Sequence, residues 1–223
     1  RGILYPVGIG PLGVEVTRDF PVLTDNGYTE EGDVESGGLF YKQRSHALFG
    51  TVNMAQHWRH TYDLNYGKRI YPYVLAIADF WVVFLKFEDG QYQIYEDAEN
   101  EKSGFCKNPG MSIALLKNAL ELAIDLSKAL KKDKERQTKW QDIIDHLRGL
   151  PTWERRGKHF LRGAEEDEKG RQVFGVSFSM IYPANGVTLN SDSILLAAGL
   201  NTVDAIQQWQ HHNATSSFYP AAV

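Results

Sequence analysis

The chain has 223 residues, of which 43% are hydrophobic and 23% charged, a composition typical of a soluble globular protein with one substantial domain. Its net charge of −4 argues against a nucleic-acid-binding protein, and no apolar run approaches the roughly 20 residues that a membrane span requires. The single cysteine, Cys106, excludes an intrachain disulfide and leaves the compartment open, with a secreted or periplasmic location favoured over a cytoplasmic one.

Residues 1–43 are rich in glycine and lack helical periodicity, which predicts loops and short strands. Within them, residues 8–13 spell the GxGxxG pattern of dinucleotide-binding proteins. That pattern requires a helix to begin at its end, whereas Pro11 removes a backbone donor and residues 14–17 continue as a strand. We therefore expect no cofactor here, and predict packed loops.

Apolar residues then recur at steps of three and four over two consecutive stretches, which predicts two amphipathic helices. The first stripe is Leu48, Val52, Ala55, Trp58 and Tyr62, and the second is Ile70, Val74, Ile77, Trp81 and Phe84. Residues 63–68 between them contain the Asn and Gly that suit a helix end and a tight turn. The sequence therefore predicts a helical hairpin over residues 44–87.

Three histidines, His46, His57 and His60, fall on or beside the first of these helices. A metal site needs more ligands at fixed spacing, and neither an HExxH motif nor a carboxylate cluster lies on the same helix. We therefore expect partly exposed helical histidines and no metal site.

A short extended segment leads from this hairpin into a group of carboxylates. Residues 88–90 form a turn signal, and residues 91–95 alternate polar with apolar side chains as a strand does. The acidic residues that follow are Glu96, Asp97, Glu99 and Glu101. Neighbouring carboxylates raise one another's pKa, so this group can keep one acid protonated near neutral pH, although acidic turns are also common without a catalytic role.

A second helical hairpin is predicted further along the chain. Asn108 as N-cap and Pro109 at the first helical position begin a helix over residues 108–130. After a solvated link at residues 131–136, the next helix is marked by Trp140, Ile143, Ile144 and Leu147.

The remaining residues are less regular. Residues 149–170 are predicted as a long charged loop that holds Trp153 and the acidic run at residues 165–168, for which a solvated surface is the simplest interpretation. Residues 173–183 are expected to be extended or loop-like. Residues 190–192 then cap a last helix, whose stripe is Ile194, Leu195, Ala198, Ala205, Ile206 and Trp209. A glycosylation sequon begins at Asn213.

This pattern of helical hairpins, without a short repeat, favours a mainly α fold of the (α/α) toroid type over a regular solenoid. Five or six helices can be counted in the sequence, whereas a complete six-hairpin toroid needs about twelve. We therefore expect a partial toroid and a longer native protein.

The order of motifs over residues 44–105 resembles the helical-toroid catalytic domain of glycoside hydrolase family 95, which contains inverting α-L-fucosidases and α-L-galactosidases. The matching segments are MAQH, YPYVLAIADFWVVFL, DGQYQI and the acidic group after them. The resemblance implies that residues 1–43 contribute to the groove and that residues 44–223 form the catalytic-type domain. It also implies an oligosaccharide or polysaccharide substrate and no cofactor.

Inverting hydrolysis uses one protonated carboxyl and a second carboxyl about 6.5–9.5 Å away that activates a water. The resemblance implies that the acid is a Glu directly after the helix and strand. Matching of a Glu-Asn dipeptide points to Glu99 with Asn100, whereas ungapped counting from Gly90 points to Glu101. We prefer Glu101, because the spacing from rigid elements fixes where a side chain lies.

For the water-activating group, the resemblance implies an Asp upstream of a Tyr-Pro pair. Asp167, upstream of Tyr182 and Pro183, is the candidate base. The family's histidine-rich stretch before this pair is absent, and its paired asparagines would precede Arg1, so fucosidase activity itself is an open expectation.

Candidate sugar contacts follow from the same resemblance and from the capacity of aromatic rings to stack on sugars. They are His57, Trp58, Asn100, Trp153 and Tyr182.

Two other functions are compatible with the sequence. A polysaccharide lyase on the same scaffold would use Tyr and His as base and acid and would release an unsaturated product. A non-catalytic carbohydrate-binding or scaffold domain would show no turnover. The hydrolase is preferred because an acidic group, rather than a cluster of Arg and Tyr, follows the best-matched segment.

Overall fold

The structure is a computed structural model that describes residues 23–24, 27–28, 43–99, 105–176, 178–207 and 218–222. The predicted segment 1–43 therefore lies almost wholly outside the described residues, as do Trp209 and the sequon at Asn213.

Helices dominate the part of the chain that is described. They are α1 (His46–Thr61), α2 (Leu64–Phe84), α3 (Gly110–Leu130), α4 (Lys134–His146), α5 (Ser193–Ile206) and the short α6 (Phe218–Ala222). The strands are β1 (Leu23–Thr24), β2 (Gly27–Tyr28), β3 (Lys86–Glu88), β4 (Gln91–Gln93), β5 (Cys106–Lys107), β6 (Thr152–Arg155), β7 (Lys158–Leu161) and β8 (Glu166–Asp167). The strands form the antiparallel pairs β1–β2, β3–β4, β5–β8 and β6–β7.

Helix α3 is the centre of the hydrophobic core and packs against α1, α2 and α4. It is apolar on nearly every side, and 15 of its 21 residues are buried. Three tryptophans from the surrounding helices, Trp58, Trp81 and Trp140, are also at most 1% exposed. Because each large side chain contributes about 1.5–3 kcal/mol on burial, this core accounts for much of the folding free energy.

The predicted first hairpin forms, but the turn that we placed at residues 63–68 is wrong. α1 ends at Thr61 and α2 begins at Leu64, after the Asp63 carboxylate accepts a hydrogen bond from the Asn65 N–H over 2.8 Å. Gly67 lies inside α2, where a Cβ atom would come within 2.8 Å of the Trp58 ring. The glycine thus permits a close helix contact rather than a turn.

Polar side chains also join the helices. The Trp58 indole N–H donates to Asp125 of α3 over 2.7 Å, and the Tyr71 hydroxyl of α2 donates to Asp133 over 2.7 Å. Arg136 of α4 pairs with Asp79 of α2. These contacts hold α1, α2 and α4 around the central helix.

The second hairpin, α3 and α4, is confirmed, with one correction at its start. Pro109, not Asn108, is the N-cap of α3, and Asn108 has a left-handed φ of 52°. The Asn108 amide is used in other contacts, described below, and so it cannot cap the helix.

Residues 149–170, predicted as a loop, contain the β6–β7 hairpin. Trp153 pairs with Phe160 and Arg155 with Lys158, and the turn between the strands has left-handed φ angles at Arg156 (53°) and Gly157 (73°). An Arg-Gly pair between two short alternating stretches is a hairpin signal that the high charge of the segment obscured.

The last predicted helix is confirmed, and the Asp192 carboxylate caps it by accepting hydrogen bonds from Ile194 and Leu195 N–H groups. The predicted buried stripe is wrong in part, since Ile194 is 55% exposed. α5 packs on β7, and its buried residues are Ala198, which belongs to the predicted stripe, Gly199 and Thr202.

No helix within the described residues is long and apolar enough to cross a membrane.

Candidate active site

The acidic segment after β4 is held as an irregular strand against residues 105–108. The Asn108 N–H donates to the Ile94 carbonyl and the Cys106 N–H donates to the Asp97 carbonyl, each over 2.8 Å. The three residue steps from Ile94 to Asp97 therefore lie opposite the two steps from Asn108 to Cys106. The extra residue forms a β-bulge at Glu96, which has a left-handed φ of 57°. Such a bulge redirects the side chains that follow it.

Asn108 fixes this segment from the other side. Its side-chain oxygen accepts a hydrogen bond from the Ile94 N–H over 2.8 Å, and its amide nitrogen donates to Gln93 and Glu165 over 2.6 and 2.9 Å. Asn108 is fully buried. One side chain thus joins β4, the acidic segment and the loop before β8.

Asp97 is buried completely, and its environment disfavours the ionised form. Burial raises the pKa of its carboxyl to about 6, and the Arg44 N–H, which donates to Oδ1 over 2.6 Å, together with the Ser112 hydroxyl and the Arg44 charge, offsets this rise only in part. Asp97 makes no ion pair with any residue that the structure describes.

Glu99, one of the two predicted acids, is 1% exposed. A Cβ atom on Gly163 would lie 3.0 Å from the Glu99 carboxyl carbon and 1.9 Å from the Gly175 carbonyl oxygen. Gly163 is itself fixed, because its N–H donates to Val173 and its carbonyl accepts from the Gly110 N–H at the start of α3. The Glu99 carboxyl therefore lies where three backbone segments meet closely.

Asn100 and Glu101, the preferred acid, lie outside the described residues. Their assignment stays a prediction from the sequence.

Asp167, the predicted base, lies on the same small sheet as Asp97. Cys106 pairs with Asp97 on one side and with Asp167 on the other. Since neighbouring strands lie about 4.8 Å apart, the Cα atoms of the two aspartates are roughly 10 Å apart across the sheet.

The Asp167 carboxylate is firmly held in its ionised form. It accepts hydrogen bonds from the Arg171 guanidinium over 2.7 Å and from the backbone N–H groups of Arg171 and Lys169 over 2.9 Å. These contacts lower its pKa to about 2. The pKa is therefore raised at Asp97 and lowered at Asp167, although both aspartates lie on the same sheet.

The predicted sugar contacts of α1 lie away from the acidic segment. α1 begins beside Arg44, which contacts Asp97, whereas His57 lies 11 residues after His46, or roughly 16 Å along the helix axis. His57 is exposed and its ring packs on Tyr66. Trp58 is 0% exposed, so its ring has no free face for a ligand.

The other two predicted contacts are accessible. Trp153 lies on β6 and is partly exposed, and Tyr182 is 39% exposed. The segment around Tyr182 packs on the start of α3, where Met180 would contact a Cβ atom on Gly110.

Sequence reasoning missed two residues near the acidic segment. His46, rather than His57, lies two residues from the Arg44 contact, and burial lowers its pKa, which favours the neutral ring. Gly163 was also missed, although a glycine close to the end of a strand is a signal of close backbone approach.

Comparison with protein families places this arrangement in a known group. The model described as "Glycosyl hydrolase family 95 catalytic domain" matches residues 38–214, which is most of the chain. The chain belongs to glycosyl hydrolase family 95. The match spans α1 to α5 together with Asp97, Glu99, Asp167 and Trp153, so the helical toroid glycosidase fold predicted from the sequence is confirmed.

The family 95 domain implies a carbohydrate substrate. Comparison with curated protein sequences gives no match. Among the described residues, no group of three or more His, Cys, Asp or Glu side chains could hold a metal ion.

Proposed function

We propose that this family 95 domain hydrolyses the glycosidic bond of a neutral sugar with inversion of configuration, as an α-L-fucosidase-like enzyme. The observation that carries the proposal is the burial of the Glu99 carboxyl against Gly163, two residues after a second buried carboxyl on Asp97. Buried carboxyls close together in the matched domain are the arrangement that a general acid requires.

The general acid is proposed to lie within residues 99–101. A general acid must be protonated before it acts, and burial together with a nearby carboxylate disfavours loss of its proton. The contacts of Glu99 favour that residue, and the spacing from the β3–β4 hairpin favours Glu101.

Asp167 is proposed as the group on the opposite side of the bond. In inverting enzymes the two carboxyls are about 6.5–9.5 Å apart with a water between them. Asp167 lies two strand spacings from Asp97, which is on the segment that leads into residues 99–101, and this supports a place for Asp167 on the far side of that water. A carboxylate whose pKa is about 2 is a weak proton acceptor, so Asp167 would orient the water more than deprotonate it. Trp153, Tyr182 and Asn100 are proposed to contact the sugar.

The first test measures hydrolysis of aryl α-L-fucoside and α-L-galactoside while proton NMR follows the product. Inversion predicts that the β-anomer forms first and then equilibrates. A first-formed α-anomer would overturn the inverting mechanism. An unsaturated product from uronate-containing glycans would support the lyase, and no turnover of any glycan would support a binding domain.

A second test separates the roles of the carboxyls by changing the leaving group. Glu99→Gln or Glu101→Gln should lower kcat on a glycoside with a poor leaving group by about 10²–10⁴-fold, and should affect a glycosyl fluoride much less, because fluoride leaves without a proton. Asp167→Asn should slow both substrates alike. Glu135→Gln, at an exposed position of α4, is the matched control and should change neither.

If both glutamate variants keep full activity on the poor leaving group, the acid is not in residues 99–101. If Asp167→Asn is as active as the unaltered chain, Asp167 is not the water-orienting group.

A further inference from the structure

The β6–β7 hairpin has two faces with different surroundings. Side chains alternate along a strand, so Thr152, Glu154, His159 and Leu161 share one face. α5 lies along the free edge of β7, since the Leu161 N–H donates to Thr202 and Asn201 donates to the His159 carbonyl. On this first face Leu161 is 1% exposed, whereas Glu154 near the turn is exposed. The opposite face carries Trp153, Arg155, Lys158 and Phe160.

The opposite face begins with an aromatic surface. Trp153 and Phe160 are cross-strand partners with ring centroids 5.4 Å apart, and Phe174 meets Trp153 edge to face at 4.9 Å. Trp153 and Phe160 are partly exposed, and Phe174 is 48% exposed. Exposed rings in this arrangement offer flat apolar area for a sugar ring to stack on.

The same face continues into a group of cations. Arg155 and Lys158 are cross-strand partners on the same face as Trp153 and Phe160, and Arg156 lies in the turn beside them. All three are exposed, and none forms an ion pair with a described residue. The acidic side chain of this hairpin, Glu154, lies on the first face. Unpaired cations therefore adjoin the aromatic rings.

The hairpin is also directly connected to the candidate active site. β7 ends at Leu161, and two residues later Gly163 packs against the Glu99 carboxyl. At about 3.3 Å per residue, the cations lie roughly 16 Å from Gly163, a distance of several sugar rings.

We propose that this open face, formed by Trp153, Phe160, Phe174, Arg155, Arg156 and Lys158, binds a uronate-containing polysaccharide from which the active site removes a neutral sugar. The inference rests on the proposed function, and it adds that the carrier chain is anionic. The rings stack on the sugar faces while the guanidinium and ammonium groups pair with carboxylates.

A uronate carries its carboxylate at the edge of the sugar ring. The ring face can therefore stack on an aromatic side chain while the carboxylate pairs with a guanidinium group. The net charge of −4 and the family 95 membership favour a glycan over a nucleic acid.

The test is direct binding without turnover, measured by calorimetry with the unaltered chain. The probes are an oligogalacturonate, the same oligomer fully methyl-esterified, a sulfated dextran and a neutral dextran. Binding of the oligogalacturonate should weaken at least tenfold on esterification and should fall as salt is raised, because salt screens exposed charges. Binding to the sulfated dextran alone, or equal binding to the esterified oligomer, would overturn the proposal.

Variants then locate the surface. Replacing Arg155, Arg156 and Lys158 together by Gln should weaken oligogalacturonate binding at least tenfold, and Phe174→Ser should weaken it several-fold. The matched control replaces Lys117, Lys128 and Lys134, which are exposed on α3 and α4, by Gln and removes the same charge elsewhere. Equal weakening in the control would show that only net charge matters and would overturn the assignment.

The two hypotheses fail in distinguishable ways. Hydrolysis of the aryl glycosides without oligogalacturonate binding would retain the proposed function and reject this surface. Oligogalacturonate binding without hydrolysis of any glycoside would retain the surface as a carbohydrate-binding site and reject its role beside a hydrolase.

Discussion

The helical layer, α1 to α4, and the acidic segment, residues 94–99 with the strands beside it, treat buried polar groups in opposite ways. In the helical layer, Trp58 donates to Asp125 and Tyr71 donates to Asp133, so these two buried groups meet complementary ones, whereas the buried Trp81 indole N–H has no hydrogen-bond partner among the described residues. In the acidic segment, Asp97 is fully buried and makes no ion pair with the described residues, and burial raises its pKa to about 6.

This difference separates stability from function. Complementary polar pairs between helices add specificity to a core that apolar burial already stabilises. A buried carboxyl whose charge is disfavoured lowers stability near neutral pH and is common at catalytic sites. The comparison therefore predicts that substitutions in the helical layer destabilise, and that removal of charge from the acidic segment stabilises.

The largest effect is expected for Trp58→Ala. The substitution removes a fully buried ring and its hydrogen bond to Asp125, and should lower the free energy of unfolding by about 3–5 kcal/mol. Chemical denaturation measures this loss. His57→Ala, at the adjacent exposed position, is the control and should change stability by less than about 0.5 kcal/mol. Similar losses for both variants would contradict the assignment of stability to the helical core.

Asp97→Asn tests the other half of the comparison through pH. Because the pKa of Asp97 rises from 3.8 to about 6 on folding, the folded state binds the proton more tightly, and stability falls as pH rises between about 4 and 6. A shift of this size corresponds to about 3 kcal/mol, which the unaltered chain loses by pH 7 and the Asn variant retains. Unfolding free energies at several pH values from 4 to 7 measure the difference. Parallel pH profiles for the two chains would show that Asp97 does not titrate as described.

Gly163→Ala should affect stability and activity together. The new methyl group would lie 1.9 Å from the Gly175 carbonyl oxygen and 3.0 Å from the Glu99 carboxyl carbon, so the backbone must shift, at a cost of about 1–3 kcal/mol. Unfolding free energy and kcat on an aryl glycoside measure the two effects. Gly149→Ala is the matched control, since no atom lies within 4 Å of its Cβ position. A fully active and stable Gly163→Ala chain would exclude close packing at Glu99.

The sequence predicts the helical layer well because a buried helical face leaves a periodic trace. The stripes that contain Trp58 and Trp81 identify α1 and α2, and the carboxylates of Asp63 and Asp192 cap helix starts in the structure. Gly67 and Asn108 show the limit of local rules, since tertiary contacts, not turn or cap propensity, decide what each residue does.

The candidate site could be predicted only in part, for a physical reason. The acidic group after the β3–β4 hairpin is visible in the sequence, but the Arg44 N–H that donates to the buried Asp97 carboxylate lies 53 residues earlier in the chain. Likewise, the contact between Gly163 and Glu99 joins distant segments that no spacing rule connects. The β6–β7 hairpin was not predicted, because the density of charged residues outweighed the alternation of side chains along its strands and the Arg-Gly turn between them.

The smallest effect is expected for Tyr71→Phe, and it sharpens the comparison most directly. The hydroxyl donates to Asp133 over 2.7 Å, and burial together with this carboxylate raises the pKa of Tyr71, so the phenol is neutral at pH 7. Loss of the hydrogen bond should lower the free energy of unfolding at pH 7 by about 0.5–1.5 kcal/mol. Tyr66→Phe on the same helix, whose hydroxyl makes no hydrogen bond with the described residues, should be neutral. Removing a polar group thus lowers stability where a carboxylate loses its donor in the helical layer, and raises it in Asp97→Asn, where the Arg44 N–H and the Ser112 hydroxyl only partly offset the cost of burying the charge. Opposite signs for these two conservative substitutions at pH 7 would establish that the two regions follow different rules, and equal signs would refute it.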